Sequence, residues 1–305
     1  MNRRHFLFLA FWVMATAGSM AQQADSLALV WSDEFDVDGR PDSTRWGYEY
    51  GFVRNQELQW YQPDNARVKD GVLQITARRE QVANPHYREN SKNWKRNRPY
   101  AEFTSACVMT RDRFAFRYGR LEVCARIPVA PGAWPAIWTL GNRWGWPANG
   151  EIDVMEFYRV PPQTMGIHHT DGSRERTLPI ILANACWQGA DGCDAWDTSR
   201  TPLTHFTDRD PSWSSKFHVW RMDWTPEAIR LYLDDELLND IPTSQAATGG
   251  GTNHDVNPFA NDIEGFGHYI LLNLAIGSSG GTPDLTAFPM LYEIDYVRVY
   301  KHVSK

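Results

Sequence analysis

The heptapeptide Gly150-Glu151-Ile152-Asp153-Val154-Met155-Glu156 sets three carboxylates among apolar residues. On a strand, Glu151 and Asp153 share one face while Ile152 and Val154 point into packing on the other. Glu156 lies an odd number of steps from Asp153 and would face away. A one-residue β-bulge near Val154 or Met155 returns it to the same side, and bulges are common beside active sites, so the sequence predicts one here. With the bulge, the Glu151 and Glu156 Cα atoms stand roughly 13 Å apart, four strand steps. Inward-reaching side chains then approach the roughly 5 to 5.5 Å at which two carboxyl groups cleave a glycosidic bond with retention. In that chemistry Glu151 is the nucleophile and Glu156 the acid, kept protonated by neighbouring negative charge. Asp153 hydrogen-bonds and orients the nucleophile. The plainer readings are a solvated strand face or a calcium site built from hard oxygens. Three acids on one face repel each other, so the surroundings have to decide.

Those surroundings are aromatic. The chain holds 14 tryptophans; Trp134 and Trp138 lie in GAWPAIWTLG, and Trp144 and Trp146 directly precede the acids. Indole faces stack on sugar rings while the ring N–H stays free to hydrogen-bond. Trp134 and Trp138 sit an even number of residues apart on the strand before the acids and share a face, although any single Trp is more often core. Upstream, the loop RNQELQWY groups Arg54, Asn55, Glu57 and ring side chains suited to hydroxyl recognition; polar loops are also commonly just solvated. His168, His169 and His218 carry no Ser-His-Asp or metal spacing around them.

The elements that must hold these groups are short and alternating. VLQITAR, RLEVCARI, EIDVME, HVWRMDW, AIRLYLD, YILLNLAI and YEIDYVRVY have period-two patterning, with turns such as KDG, PGAWP and ATGGG between segments. Many short strands and few helical stretches predict a single all-β sandwich. Residues 1–21 read instead as a signal peptide: Arg3 and Arg4, an apolar run from Phe6 to Ala17, then Ser19-Met20-Ala21, with cleavage after Ala21. That leaves residues 22–305 as one catalytic domain, exported to the periplasm or the extracellular space. The apolar run is too short to span a bilayer comfortably. A formal charge of −6, with basic residues scattered, points away from nucleic acid and anionic membranes. An exported chain with four cysteines invites disulfides. Cys186 and Cys193 flank a short loop and Cys107 and Cys124 lie on separate strands; free buried thiols are the alternative.

Taken together, WSDEFD, RNQELQWY, NARVKDGVLQITARRE, FRYGRLEVCARIP, GAWPAIWTLG, WPANGEIDVME, YILLNLAIG and YEIDYVRVYK resemble, in order and over nearly the whole chain, glycoside hydrolase family 16, especially its laminarinase-like endo-β-1,3-glucanase branch. The resemblance implies a β-jelly-roll of two curved antiparallel sheets with a substrate cleft on the concave face. It gives Glu151, Asp153 and Glu156 the roles of nucleophile, assisting acid and acid/base, needs no catalytic cofactor, and places Trp134, Trp138 and Asn55 among the sugar contacts. It also implies a structural calcium on the convex side, held by Glu34, the Gly71 carbonyl and Asp295.

The chain departs from that pattern between Arg159 and Thr201, where His168 or His169, or else Asn184, takes the place of a substrate-contacting strand histidine. Gly277-Ser278 replaces a common Gly pair. The substrate expected is a β-1,3 or mixed β-1,3/1,4 glucan; the alternatives are a β-galactan, an agar-like polysaccharide or a host O-glycan cut by the same mechanism, or a non-catalytic lectin on the same sandwich.

Overall fold

A computed structural model describes residues 26–166, 177–246 and 256–303. The proposed signal peptide, His168 and His169 lie outside these residues. Two antiparallel sheets carry the fold. The first consists of β1 (Gly47–Tyr48), β2 (Cys107–Met109), β3 (Ala133–Gly141), β4 (Glu151–Val160), β5 (Leu178–Gln188), β6 (Asp194–Pro202) and β7 (His268–Ile276). Its spatial order is β6-β5-β4-β3-β7-β2-β1. The second sheet, built around the strands Gly119–Arg126 and Met290–Val303, packs against it. The all-β sandwich expected from the alternation is the architecture found.

The sequence pattern explains how each sheet is used. Val72–Ala77 and His218–Trp224 alternate between fully and partly buried residues, as strands with one face on a core do. In β7 every residue is buried. Its Ile270, Leu272, Leu274 and Ile276 enter the core between the sheets, while Tyr269 and Leu271 join Tyr61, Cys107, Ala136 and Trp138 in a second cluster. Ala136 and Trp138 of that second cluster line the cleft. Strand β7 therefore packs apolar side chains on both faces of the sheet.

The disulfides anticipated from the cysteines do not form: all four are free, Cys193 exposed and the others buried. Register gives the reason for the first pair. Cys186 stands opposite Trp196, three residues from Cys193 along β6 and the adjoining turn, or roughly 10 Å at 3.3 Å per residue. Bridgeable Cα atoms lie within about 7 Å. Cys107 and Cys124 lie in different sheets, on β2 and on Gly119–Arg126.

The calcium donors expected from the resemblance also have other arrangements. Glu34 accepts hydrogen bonds at both oxygens from Arg298, at 3.0 and 2.7 Å, and its carboxyl is held below the usual range by that guanidinium. Asp295 is exposed at a bulge, where Cys124 pairs with Tyr296 and Ala125 with Ile294. Gly71 turns the chain between Lys69 and Val72 with φ +77°. Among the described residues no group of three or more His, Cys, Asp or Glu side chains is placed to hold a metal ion. Arg298 already engages both Glu34 oxygens, so Glu34 as arranged is paired with a guanidinium and is not grouped with other acids to hold calcium. Melting with and without a chelator should give the same midpoint; a fall that added calcium reverses would show that Arg298 yields to an ion.

Candidate active site

Strand β4 carries the bulge that its three acids need in order to share one face. Across β3, Met155 pairs with Ile137 and Asp153 with Trp138, leaving Val154 unpaired. Across β5, Asp153 pairs with Asn184 and Glu156 with Leu182, so three steps on β4 match two on β5. Val154 and Met155, though consecutive, both enter the core between the sheets. Glu156 is thereby returned to the face of Glu151 and Asp153, and both glutamates line the cleft. Entry to the strand depends on Gly150, at φ +75°, where a Cβ would come within 2.6 Å of Pro258; any side chain there would displace the start of β4.

Each acid has a distinct environment. Glu156 is 8% exposed and accepts from Trp134 Nε1 at 3.0 Å and from Asn184 Nδ2 at 3.3 Å. Burial, and next the charge of Glu151, push its pKa up to about 8 despite these donors. Asp153 is 1% exposed; burial, then the charges of Glu156 and Glu151, raise it well above the carboxylate range, and its hydrogen bond with Glu151 works in the same direction. A protonated Asp153 donating to Glu151 is the consistent state. Glu151 is also raised by burial, but the Trp146 indole, Asp153 and Arg54 oppose that shift. The Trp146 bond is direct, Nε1 to Oε2 at 2.6 Å. The cluster thus combines a protonated acid with a carboxylate stabilised by two donors, the separation of roles that acid-assisted nucleophilic chemistry needs.

A cleft of about 750 Å³ surrounds the acids. Trp134 and Trp138 line it as their even spacing implied. Trp138 donates from Nε1 to Asn273 Oδ1 at 2.7 Å, and Asn273 donates in turn to the Tyr61 hydroxyl at 3.1 Å. The Arg54 guanidinium lies 4.9 Å from the Trp138 ring centroid and pairs with Glu49. Asn55 lines the cleft with φ +55°, its amide 3.4 Å from Glu57 Oε1. Burial lifts the Glu57 carboxyl to about 6. Asn184 belongs to the carboxylate cluster itself, its amide 3.5 Å from Asp153 as well as bonded to Glu156.

Sequence reasoning missed several lining residues. In the sequence Trp146 is only an aromatic ahead of the acids, and its bond to Glu151 depends on the fold. Trp94, Tyr158 and Trp196 also line the cleft. Asn273 carried a signal, being the single polar residue inside the apolar strand YILLNLAI.

Comparison with known proteins places this geometry. A family model described as beta-glucan synthesis-associated protein SKN1/KRE6/Sbg1 matches residues 14–152. A beta-glucanase of Rhodothermus marinus is 35% identical over 321 aligned positions, spanning 100% of this chain and 96% of that protein. Among solved structures, one from work on endo-acting O-glycanases with which human gut bacteria initiate mucin breakdown is 31% identical, with a TM-score of 0.72, covering 90% of this chain and 91% of the other. SCLam, a non-specific endo-beta-1,3(4)-glucanase from family GH16, is 31% identical with a TM-score of 0.66, over 93% and 94% of the two chains. End-to-end similarity of this degree, on a jelly-roll whose bulged strand carries three acids into an aromatic cleft, means that the chain belongs to glycoside hydrolase family 16, in its laminarinase-like branch.

Proposed function

We propose that the protein is an exported, retaining endo-β-glycanase acting on neutral β-1,3 or mixed β-1,3/1,4 glucan. The observation that carries the mechanism is the placement of two carboxyls on one face of the bulged strand: Glu156 buried against Trp134 and Asn184, where burial pushes its pKa up, beside a Glu151 supported by Trp146 and Asp153. Glu156 gives its proton to the glycosidic oxygen as Glu151 attacks the anomeric carbon, forming a glycosyl-enzyme and releasing the aglycone. Glu156, now a carboxylate, takes a proton from water, which attacks the same carbon and frees Glu151. Asp153 donates to Glu151 in the resting state and limits the charge that the cluster must bear.

Electrostatics favour a neutral polymer. Arg54 is the one cation among the described residues lining the cleft, and Glu49 already pairs with it. A sulfated or carboxylated sugar would meet the carboxylates of Glu57 and Glu151 without a free counter-charge. The cleft lining extends from Trp94 and residues 54–57, across β7, β3 and β4, to Trp196 on β6, which suits a chain bound along its length. A host O-glycan is the second reading, favoured by the TM-score of 0.72 with the structure from the O-glycanase work. Residues 1–21 would direct export to the periplasm or beyond.

Purified protein incubated with laminarin, lichenan, agarose, porphyran and mucin, with products separated by chromatography, should release oligosaccharides of mixed length from laminarin or lichenan. NMR of the first products should show β-configured reducing ends. Release from mucin alone would move the assignment to O-glycans, α products would sink double displacement, and retention on a glycan gel without release would favour a lectin.

A further inference from the structure

The hairpin of β5 and β6 extends the first sheet by two strands beyond the catalytic one, within the segment where the sequence departs from its family's pattern. Register fixes what this extension presents. Glu151 pairs with Cys186, and Cys186 pairs with Trp196. Directly opposed residues of neighbouring strands project from the same face. Trp196 therefore rises on the face of the nucleophile, two strands away, or about 9.6 Å at 4.8 Å per strand. It is 44% exposed and lines the cleft. Its Nε1 donates to Asp194 Oδ2 at 2.7 Å, which fixes the ring and satisfies its only polar atom. Trp146 is similar: 52% exposed, lining the same cleft, with its N–H committed to Glu151. Two indoles thus stand beside the acids with satisfied polar edges and accessible faces. An exposed Trp on a sheet's edge strand is a liability to aggregation unless something covers it. Here the cleft supplies a reason for it, because an indole face is suited to the C–H face of a pyranose ring.

Resting on the glycanase reading, we propose that Trp196 is a sugar-stacking platform that gives this chain an additional subsite on the β6 side of the cleavage point. The site would take a neutral pyranose of the bound polymer, one or two units from the scissile bond. Asp194 acts as a positioning residue by holding the indole upright. Polymers reaching over β6 are then bound better than oligosaccharides too short to do so, and the β5-β6 hairpin sets a minimum length for efficient cleavage.

The test is a length series. On oligosaccharides of increasing length from whichever polymer the unmutated protein cuts, kcat/KM should rise until the Trp196 subsite is filled. Trp196→Ala should remove the last increment, about tenfold on the longest substrates and chiefly through KM, with the shortest cleaved oligosaccharide unaffected. Trp196→Phe should restore most of the loss, and the melting temperature of both variants should match the parent because the ring is exposed. An equal loss at every length, or no loss at any, would overturn the platform. If the unmutated protein cuts none of the polymers, the glycanase reading fails, and retardation in native gels containing laminarin, lichenan or mucin becomes the readout. Trp196→Ala should then migrate faster than the parent, and equal migration in all three gels would overturn the proposal.

Discussion

Glu151→Gln should lower hydrolysis by about a thousandfold or more, an increase of ~4 kcal/mol in the barrier, while leaving the fold and glycan retention unchanged. Gln keeps the shape and the acceptor oxygen for Trp146, so the cluster loses its nucleophile with little repacking. The sharper form of the experiment separates the two glutamates. Glu151→Gly, given an activated β-glycoside and azide, should form an α-glycosyl azide, because azide enters the vacated space and displaces the leaving group from the opposite face. Glu156→Gly should instead form a β-glycosyl azide, since azide there intercepts a glycosyl-enzyme already made on Glu151. The two anomers are distinguished by NMR. An α-azide from Glu156→Gly would exchange the roles of the residues, and no azide adduct from either would remove the covalent intermediate.

The same contrast bears on what the sequence could reveal. The acids and their bulge were legible because both depend on local arithmetic: side chains alternate with period two, and three acids can share a face only if one residue is absorbed. Val154 is that residue. The sheets were legible for the same reason. What could not be read was pairing between distant segments. Trp196 faces the cleft because β6 registers with Cys186, and β5 with Glu151; neither alignment follows from composition. The Cys186–Cys193 disulfide misled because closeness along the chain is not closeness across a hairpin. Glu34 is paired with Arg298, 264 residues away, a partner that spacing does not disclose. Motif chemistry is local, whereas the competition for each side chain is global.

Glu156→Gln should reveal that competition as a trade between activity and stability. The Glu156 pKa is raised by folding from 4.5 to about 8. The folded state therefore retains a proton that the unfolded chain releases, and linkage makes folding less stable as pH rises through that window. The slope approaches about 1.4 kcal/mol per pH unit for one proton. The parent's melting temperature should accordingly decline between about pH 5 and 8, and the Gln variant, neutral throughout, should decline less. Asp153, raised in the same direction, leaves a residual slope. Activity moves the opposite way: loss of the acid should cost about 10² to 10⁴ in kcat on a glucan, and much less on a dinitrophenyl glycoside, whose leaving group needs no proton. In the parent, kcat/KM should fall above about pH 8 as Glu156 ionises, and that limb should disappear in the variant on the activated substrate. Parallel melting curves for the two proteins from pH 5 to 8 would mean that Glu156 is ionised at rest, and the assignment of the acid would fail with it. On the proposed mechanism the buried carboxyl is thus a place where the fold gives up stability near neutral pH to keep one proton for the scissile oxygen.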